Sequence, residues 1–93
     1  MAIDEEKTLA DWKERGFVQS NTYADGPGKS WLGYVHAADG VVMAVEGELE
    51  LEMVGERKRM TPGEEVLIKR HVLHSVRNVG DGECRWLSAY GKS

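Results

Sequence analysis

The chain carries three histidines, His36, His71 and His74. Neutral imidazole is the commonest metal ligand and the side chain that trades protons near pH 7. Chemistry needing a lone-pair donor or an acid–base group therefore centres on these three positions. Oxygen-bearing side chains stand near them in the sequence: Tyr34 and Asp39 flank His36, and Asn78 follows His74. Other chemistries lack their residues. There is no Gly-x-Ser-x-Gly, no Cys-x-x-Cys and no phosphate-binding glycine loop, so a hydrolase or NTPase reading has no support. The one cysteine, Cys84, has Arg85 beside it. A single neighbouring cation is thin ground for an activated thiol, and a buried inert thiol is the expectation.

These side chains can meet only if strands bring them together. Ser30 to His36 alternates, with Tyr34 and His36 on one face and Trp31, Gly33 and Val35 on the other. In an extended segment the odd spacing of His71 and His74 sends them to opposite faces, unless a turn intervenes. Val41 to Val45 is an apolar run suited to a strand buried on both faces. From Glu48 to Val54, Leu49, Leu51 and Met53 alternate with Glu48, Glu50 and Glu52, the pattern of a half-buried strand. Gly55 falls in a hairpin turn, Glu56 to Met60 returns, and Thr61-Pro62-Gly63-Glu64 turns again. Val66 to Ile68, Leu73 to Arg77 and Arg85 to Tyr90 complete the strands, and Phe17 to Tyr23 is a polar strand expected at an edge. Ahead of them lies a short helix with Thr8 as its cap and Asp11 three residues on. Leu9 and Trp12 give it a small apolar face, and Gly16 ends it. The expected organisation is a helical extension over residues 1–16 and an all-β domain over 17–93. Many short strands with frequent turns make a sandwich or a barrel.

The segment Gly63 to Asn78 narrows that choice. Gly63, His74 and Asn78 match the spacing of the second motif of the cupin superfamily: Gly, five residues, Pro-x-Gly, two residues, His, three residues, Asn. Lys69 and His71 stand where the family has Pro and Gly. The first motif, His-x-His, three or four residues, Glu, six residues, Gly, survives in part. Anchored on Gly47, it places Gly40 at the Glu, His36 at the second His and Tyr34 at the first. The chain thus resembles a small single-domain cupin of the conserved-barrel type from about Phe17 to Lys92. That resemblance implies the cupin double-stranded β-helix, a jelly-roll barrel, here with a short N-terminal helix.

In metal-bearing cupins the two first-motif His, the Glu and the second-motif His bind one divalent ion. Carried over, His36 and His74 remain, Tyr34 replaces one ligand and Gly40 removes another. Zinc takes four ligands, or three and a water, and the non-haem iron triad takes two His and one carboxylate. Asp39 is the candidate carboxylate, and His71 is either a rim residue or a recruited third imidazole. Zinc, iron, nickel and manganese are the candidate ions. Three functions follow. One is a small-molecule-binding cupin with Tyr34, His36, His74 and Asn78 as ligand contacts. Another is a metal-dependent enzyme of dioxygenase or isomerase type, with the ion on His36, His74, Asp39 and His71. The third is a dimeric interaction or regulatory module with a vestigial pocket. Trp31, Trp86 and Tyr90 read as core or dimer-interface aromatics.

Bulk properties set the remaining expectations. Ninety-three residues make one domain. A chain this short buries only about 60–65% of its unfolded surface, so a homodimer is expected. A net charge of −4 argues against nucleic acid. No apolar run approaches the roughly 18 residues of a membrane span. The acidic start Met1 to Glu6 lacks an apolar signal core, and a lone cysteine suits a reducing compartment, so a cytoplasmic location is expected.

Overall fold

A computed structural model of the chain describes residues 3–91; Lys92, the end of the stretch matched by motif, lies outside them. Its elements are α1 (Glu5–Glu14), β1 (Phe17–Asp25), β2 (Ser30–Tyr34), β3 (Gly40–Glu46), β4 (Leu49–Met53), β5 (Glu56–Met60), β6 (Glu65–Ile68), β7 (His74–Asn78) and β8 (Cys84–Gly91). The strands form two antiparallel sheets, β1-β8-β3-β6 and β2-β7-β4-β5. Among the described residues no helix is long and apolar enough to cross a membrane.

The helix begins a turn earlier than its expected Thr8 cap. Asp4 is the N-cap, and its carboxylate accepts the Lys7 N–H at 3.0 Å. The Thr8 hydroxyl instead donates to the Asp4 carbonyl at 3.0 Å. Glu5 and Glu6 in the first turn and Lys13 in the last complement the helix dipole, which favours the earlier start. Gly16 closes the helix at φ +98°, donating to the Lys13 carbonyl.

The apolar run on β3 is buried on both faces for two different reasons. Val42 and Ala44 face Leu49, Leu51, Met60 and Val76 across the barrel. Val41 and Met43 pack outward with Leu87, Ala89 and Trp12 of α1. Trp12 is fully buried, and its indole N–H donates to Glu65 at 2.6 Å. The helix therefore roofs the outer face of the first sheet, and the barrel interior stays free of it.

Two departures from regular strand geometry position the site. On β2 the register slips between Trp31, opposite Val76, and Tyr34, opposite His74. Gly33 sits inside this irregularity at φ +70°, a conformation glycine adopts without Cβ strain. The extra residue turns Trp31 to the same side as Tyr34, where strict alternation had placed it on the opposite face. The second departure is His71, at φ +66°. Its N–H donates to the His36 carbonyl at 2.8 Å and ties the segment before β7 to the segment after β2. A left-handed backbone here accounts for glycine in the family pattern at this position.

The outer face of the second sheet is a charge ladder. Arg77 reaches Glu52 at 2.8 Å and Glu50 at 3.6 Å. Arg57, Lys58 and Arg59 pair with Glu52, Glu64 and Glu48. Arg57 and Arg59 extend this outer face, while Lys58, opposite Leu51, projects from the other side of the edge strand β5; all three are exposed and paired.

Candidate functional site

Between the sheets lies a cavity of about 270 Å³. Asn21 and Tyr23 line it from β1, Trp31 and Tyr34 from β2, Val42 from β3, His74 and Val76 from β7, and Trp86 and Tyr90 from β8; His36 enters from the segment after β2. Of the expected site residues, Tyr34, His36 and His74 come together here. The His36 and His74 ring centroids are 5.1 Å apart, and Tyr34 lies 6.4 Å from His36.

His74 is 5% exposed, and its Nδ1 is 2.9 Å from the Val72 carbonyl. A carbonyl only accepts, so Nδ1 carries the proton and Nε2 of the neutral ring keeps its lone pair. His36 is engaged differently. Its Nε2 is 2.8 Å from the Tyr90 hydroxyl. Burial, and then the neighbouring His74, lower the His36 pKa and favour the neutral imidazole. Burial raises the Tyr90 pKa, so the phenol keeps its proton.

Tyr90 also explains the fate of the missing carboxylate. A Cβ on Gly40 would stand 2.9 Å from Cε1 and 3.0 Å from Cδ1 of the Tyr90 ring. The ring occupies the space through which a side chain at position 40 would leave the backbone. A Glu in that place and Tyr90 in this rotamer exclude each other.

Three expected contacts are placed elsewhere. Asp39 turns to Arg70, accepting its backbone N–H at 2.9 Å and its Nε at 3.4 Å. The Arg70 backbone bond, more than its guanidinium, holds the Asp39 carboxyl below its usual range. His71 is exposed, and its backbone rather than its ring does the structural work described above. Asn78 is 4% exposed, with Nδ2 within 3.0 Å of the Asp25, Gly26 and Gly82 carbonyls and Oδ1 accepting from Gly80. It fastens the turns at the far end of β7, with its bonding capacity filled.

The sequence reading missed the aromatic wall. Trp31 and Trp86 each donate their indole N–H to one oxygen of Asp25 at 2.8 Å. Tyr23 stacks on Trp86 at 4.2 Å and meets Trp31 edge-on at 5.3 Å. Alternation along β8 puts Trp86 and Tyr90 on one face, a signal that could have placed Tyr90 beside the histidines.

The donor set does not fit the divalent ion that the motif resemblance implies. Among the described residues no three His, Cys, Asp or Glu side chains converge. Two imidazoles remain, one of them already bonded to Tyr90, where a closed zinc site takes four ligands and the iron triad a carboxylate.

The sequence model of the family described as Cupin domain matches residues 22–90, most of the chain. The chain belongs to the cupin family. Solved structures agree on the fold. A cupin superfamily protein from Desulfitobacterium hafniense is 15% identical, with a TM-score of 0.73 over 80% of this chain and 66% of its own. A Cupin 2 conserved barrel domain protein from Salinispora arenicola is 22% identical, with a TM-score of 0.73 over 80% of this chain and 62% of its own. Oxalate oxidase in complex with the substrate analogue glycolate is 23% identical, with a TM-score of 0.72 over 78% of this chain and 41% of its own. This cupin therefore spans less than two thirds of each of those structures. A comparison with curated proteins found no match. The cupin barrel hosts many activities, so the site and not the fold must carry the functional argument.

Proposed function

We propose that this cupin binds a small organic molecule in the barrel cavity without a metal ion. One observation carries the reading: His74 is buried at the cavity wall with no hydrogen-bond partner for Nε2 among the described residues, while Asn78, the other buried polar residue of the second motif, has its amide filled. A mostly apolar pocket with a few convergent polar groups is the usual design of a ligand site. His74 is the anchor, Tyr34 lines the mouth, and the His36–Tyr90 pair fixes the opposite wall. A metal-dependent dioxygenase or isomerase reading has two imidazoles and, among the described residues, no carboxylate converging on them. Pairing with a second copy belongs to the same proposal. Leu32, Val35, Leu73 and Val54 are exposed apolar side chains on or beside β2, β7 and β4, and light scattering reads the mass directly.

The test combines two measurements. Untagged protein, purified without chelator and incubated with zinc, iron, nickel or manganese, is expected to retain far less than one ion per chain by mass spectrometry. A small-molecule screen followed by histidine NMR is expected to give hits that shift His74 and vanish in His74→Ala. Stoichiometric metal lost in His74→Ala would overturn the metal-free reading. Hits that bind His74→Ala as well as the parent would move the site out of this cavity.

A further inference from the structure

We infer that the ligand of this cavity is a small organic ammonium ion carrying at least one N–H; the inference rests on the binding role proposed above and adds the chemical class. Three features of the wall point the same way.

The first is the surface a ligand would meet. Tyr23, Trp31, Trp86 and Tyr90 line the cavity with aromatic rings, and Tyr34 stands 6.2 Å from Trp31. Aromatic faces carry the negative part of the ring quadrupole and attract cations, indole most strongly. The second is the charge behind that surface. Both indole N–H groups donate to a single Asp25 oxygen. An anion accepting from each indole nitrogen pushes electron density towards the rings and adds a negative field of its own. Among the described residues no lysine or arginine lines the cavity. An anionic ligand would find no lysine or arginine to pair with there. Trp31 already attracts one ammonium: the exposed Lys29 holds Nζ 4.7 Å from its ring centroid.

The third feature is the polarity of the free groups. In the neutral ring, with Nδ1 donating to the Val72 carbonyl, His74 Nε2 can only accept. Ser88 lies between Trp86 and Tyr90 on β8, and its register partners Asn21 and Val42 both line the cavity. It is 1% exposed, and its hydroxyl lies beside the Tyr90 phenol behind the cavity wall. An N–H of the ligand would answer the Nε2 lone pair, and the charge would rest against the rings. A quaternary ammonium satisfies the rings alone. A neutral alcohol of the same shape satisfies neither the rings nor Asp25.

The experiment titrates the full chain with four probes of similar size, read by tryptophan fluorescence and by the indole and His74 resonances. The probes are trimethylammonium, tetramethylammonium, tert-butanol and acetate. Trimethylammonium is expected to bind tightest, with tert-butanol weaker by about tenfold and acetate weaker still. Asp25→Asn keeps an acceptor for the two indoles and removes the charge; it is expected to weaken trimethylammonium several-fold and leave tert-butanol unchanged. If tert-butanol or acetate binds as well as the cations, the cavity is a ligand site and the cation inference is wrong. If tetramethylammonium matches trimethylammonium, the N–H contact to His74 is wrong. If no probe of any charge moves the Trp31, Trp86 or His74 signals at its solubility limit, the binding role falls together with the inference.

Discussion

His74 and Asn78 stand at the two ends of the same strand, β7, and are buried to nearly the same degree, 5% and 4% exposed. The motif spacing singled out both, His74 as a ligand contact and Asn78 as either a ligand contact or a residue that satisfies backbone groups at a turn. The structure separates them by hydrogen bonding. Asn78 gives its amide to three carbonyls and takes one N–H. His74 makes one bond and keeps one ring nitrogen for something else. Burial with filled capacity marks a structural clamp. Burial with spare capacity, beside a cavity, marks a site. The distinction is physical, because an unanswered buried polar group is disfavoured by about 1–3 kcal/mol.

That contrast can be broken by substitution. Asn78→Ala takes a donor from three carbonyls, of which Gly26 keeps the Lys29 N–H, and an acceptor from the Gly80 N–H; it is expected to destabilise the fold by about 3 kcal/mol or more. At this chain length the thermal midpoint should fall by more than about 10 °C, while the molecules that remain folded bind normally. Gly40→Glu comes next. Its Cβ must displace the Tyr90 ring, and a loss of about 1–3 kcal/mol is expected from overpacking. Chemical denaturation measures it, and adding Tyr90→Ala should recover much of the loss. His74→Ala is expected to remove only about 1–2 kcal/mol of stability while abolishing ligand binding, the reverse of Asn78→Ala. An equal stability loss in the two variants would dissolve the distinction between clamp and site.

A pH series sharpens the comparison with smaller effects. Burial lowers the His36 pKa below its reference value of 6.5. The unfolded chain therefore binds the proton first. The His36 contribution to stability is complete above pH 6.5 and is lost as pH falls through the lower folded value. The melting temperature should drop from pH 7.5 to 5, less steeply in His36→Gln. Cys84 acts on the alkaline side. Burial, and then Asp25, push its thiol from 9.0 up to about 11. Its contribution is present below pH 9.0 and fades as pH rises through about 11. Alkylation of Cys84 at pH 8 should follow global unfolding and not precede it.

The parts of the molecule legible in the sequence were those decided by near neighbours. Val41 to Val45 announced a strand buried twice over, and α1 and the barrel interior cover its two faces. The second-motif spacing placed His74 correctly. What escaped was decided across the fold. Asp39 faces Arg70, 31 positions away, and nothing beside Asp39 in sequence forecasts that pull. Trp31 joins the cavity because of a register slip at Gly33, and a glycine in a strand is compatible with several geometries. Tyr90 read as a core or interface aromatic because its partners, Gly40 and His36, lie on other elements.

The fit of Tyr90 over Gly40 also constrains how such a barrel can change over evolutionary time. A carboxylate at position 40 collides with the ring, and removing the ring alone opens a void beside an unpartnered His36. A carboxylate at position 40 and loss of the ring at position 90 each lower stability unless the other change has already been made, and a four-ligand centre needs a histidine at position 34 besides. Two sequences one pair of substitutions apart are thereby separated by a valley, and a lineage carrying this pair is held to the chemistry of rings and lone pairs.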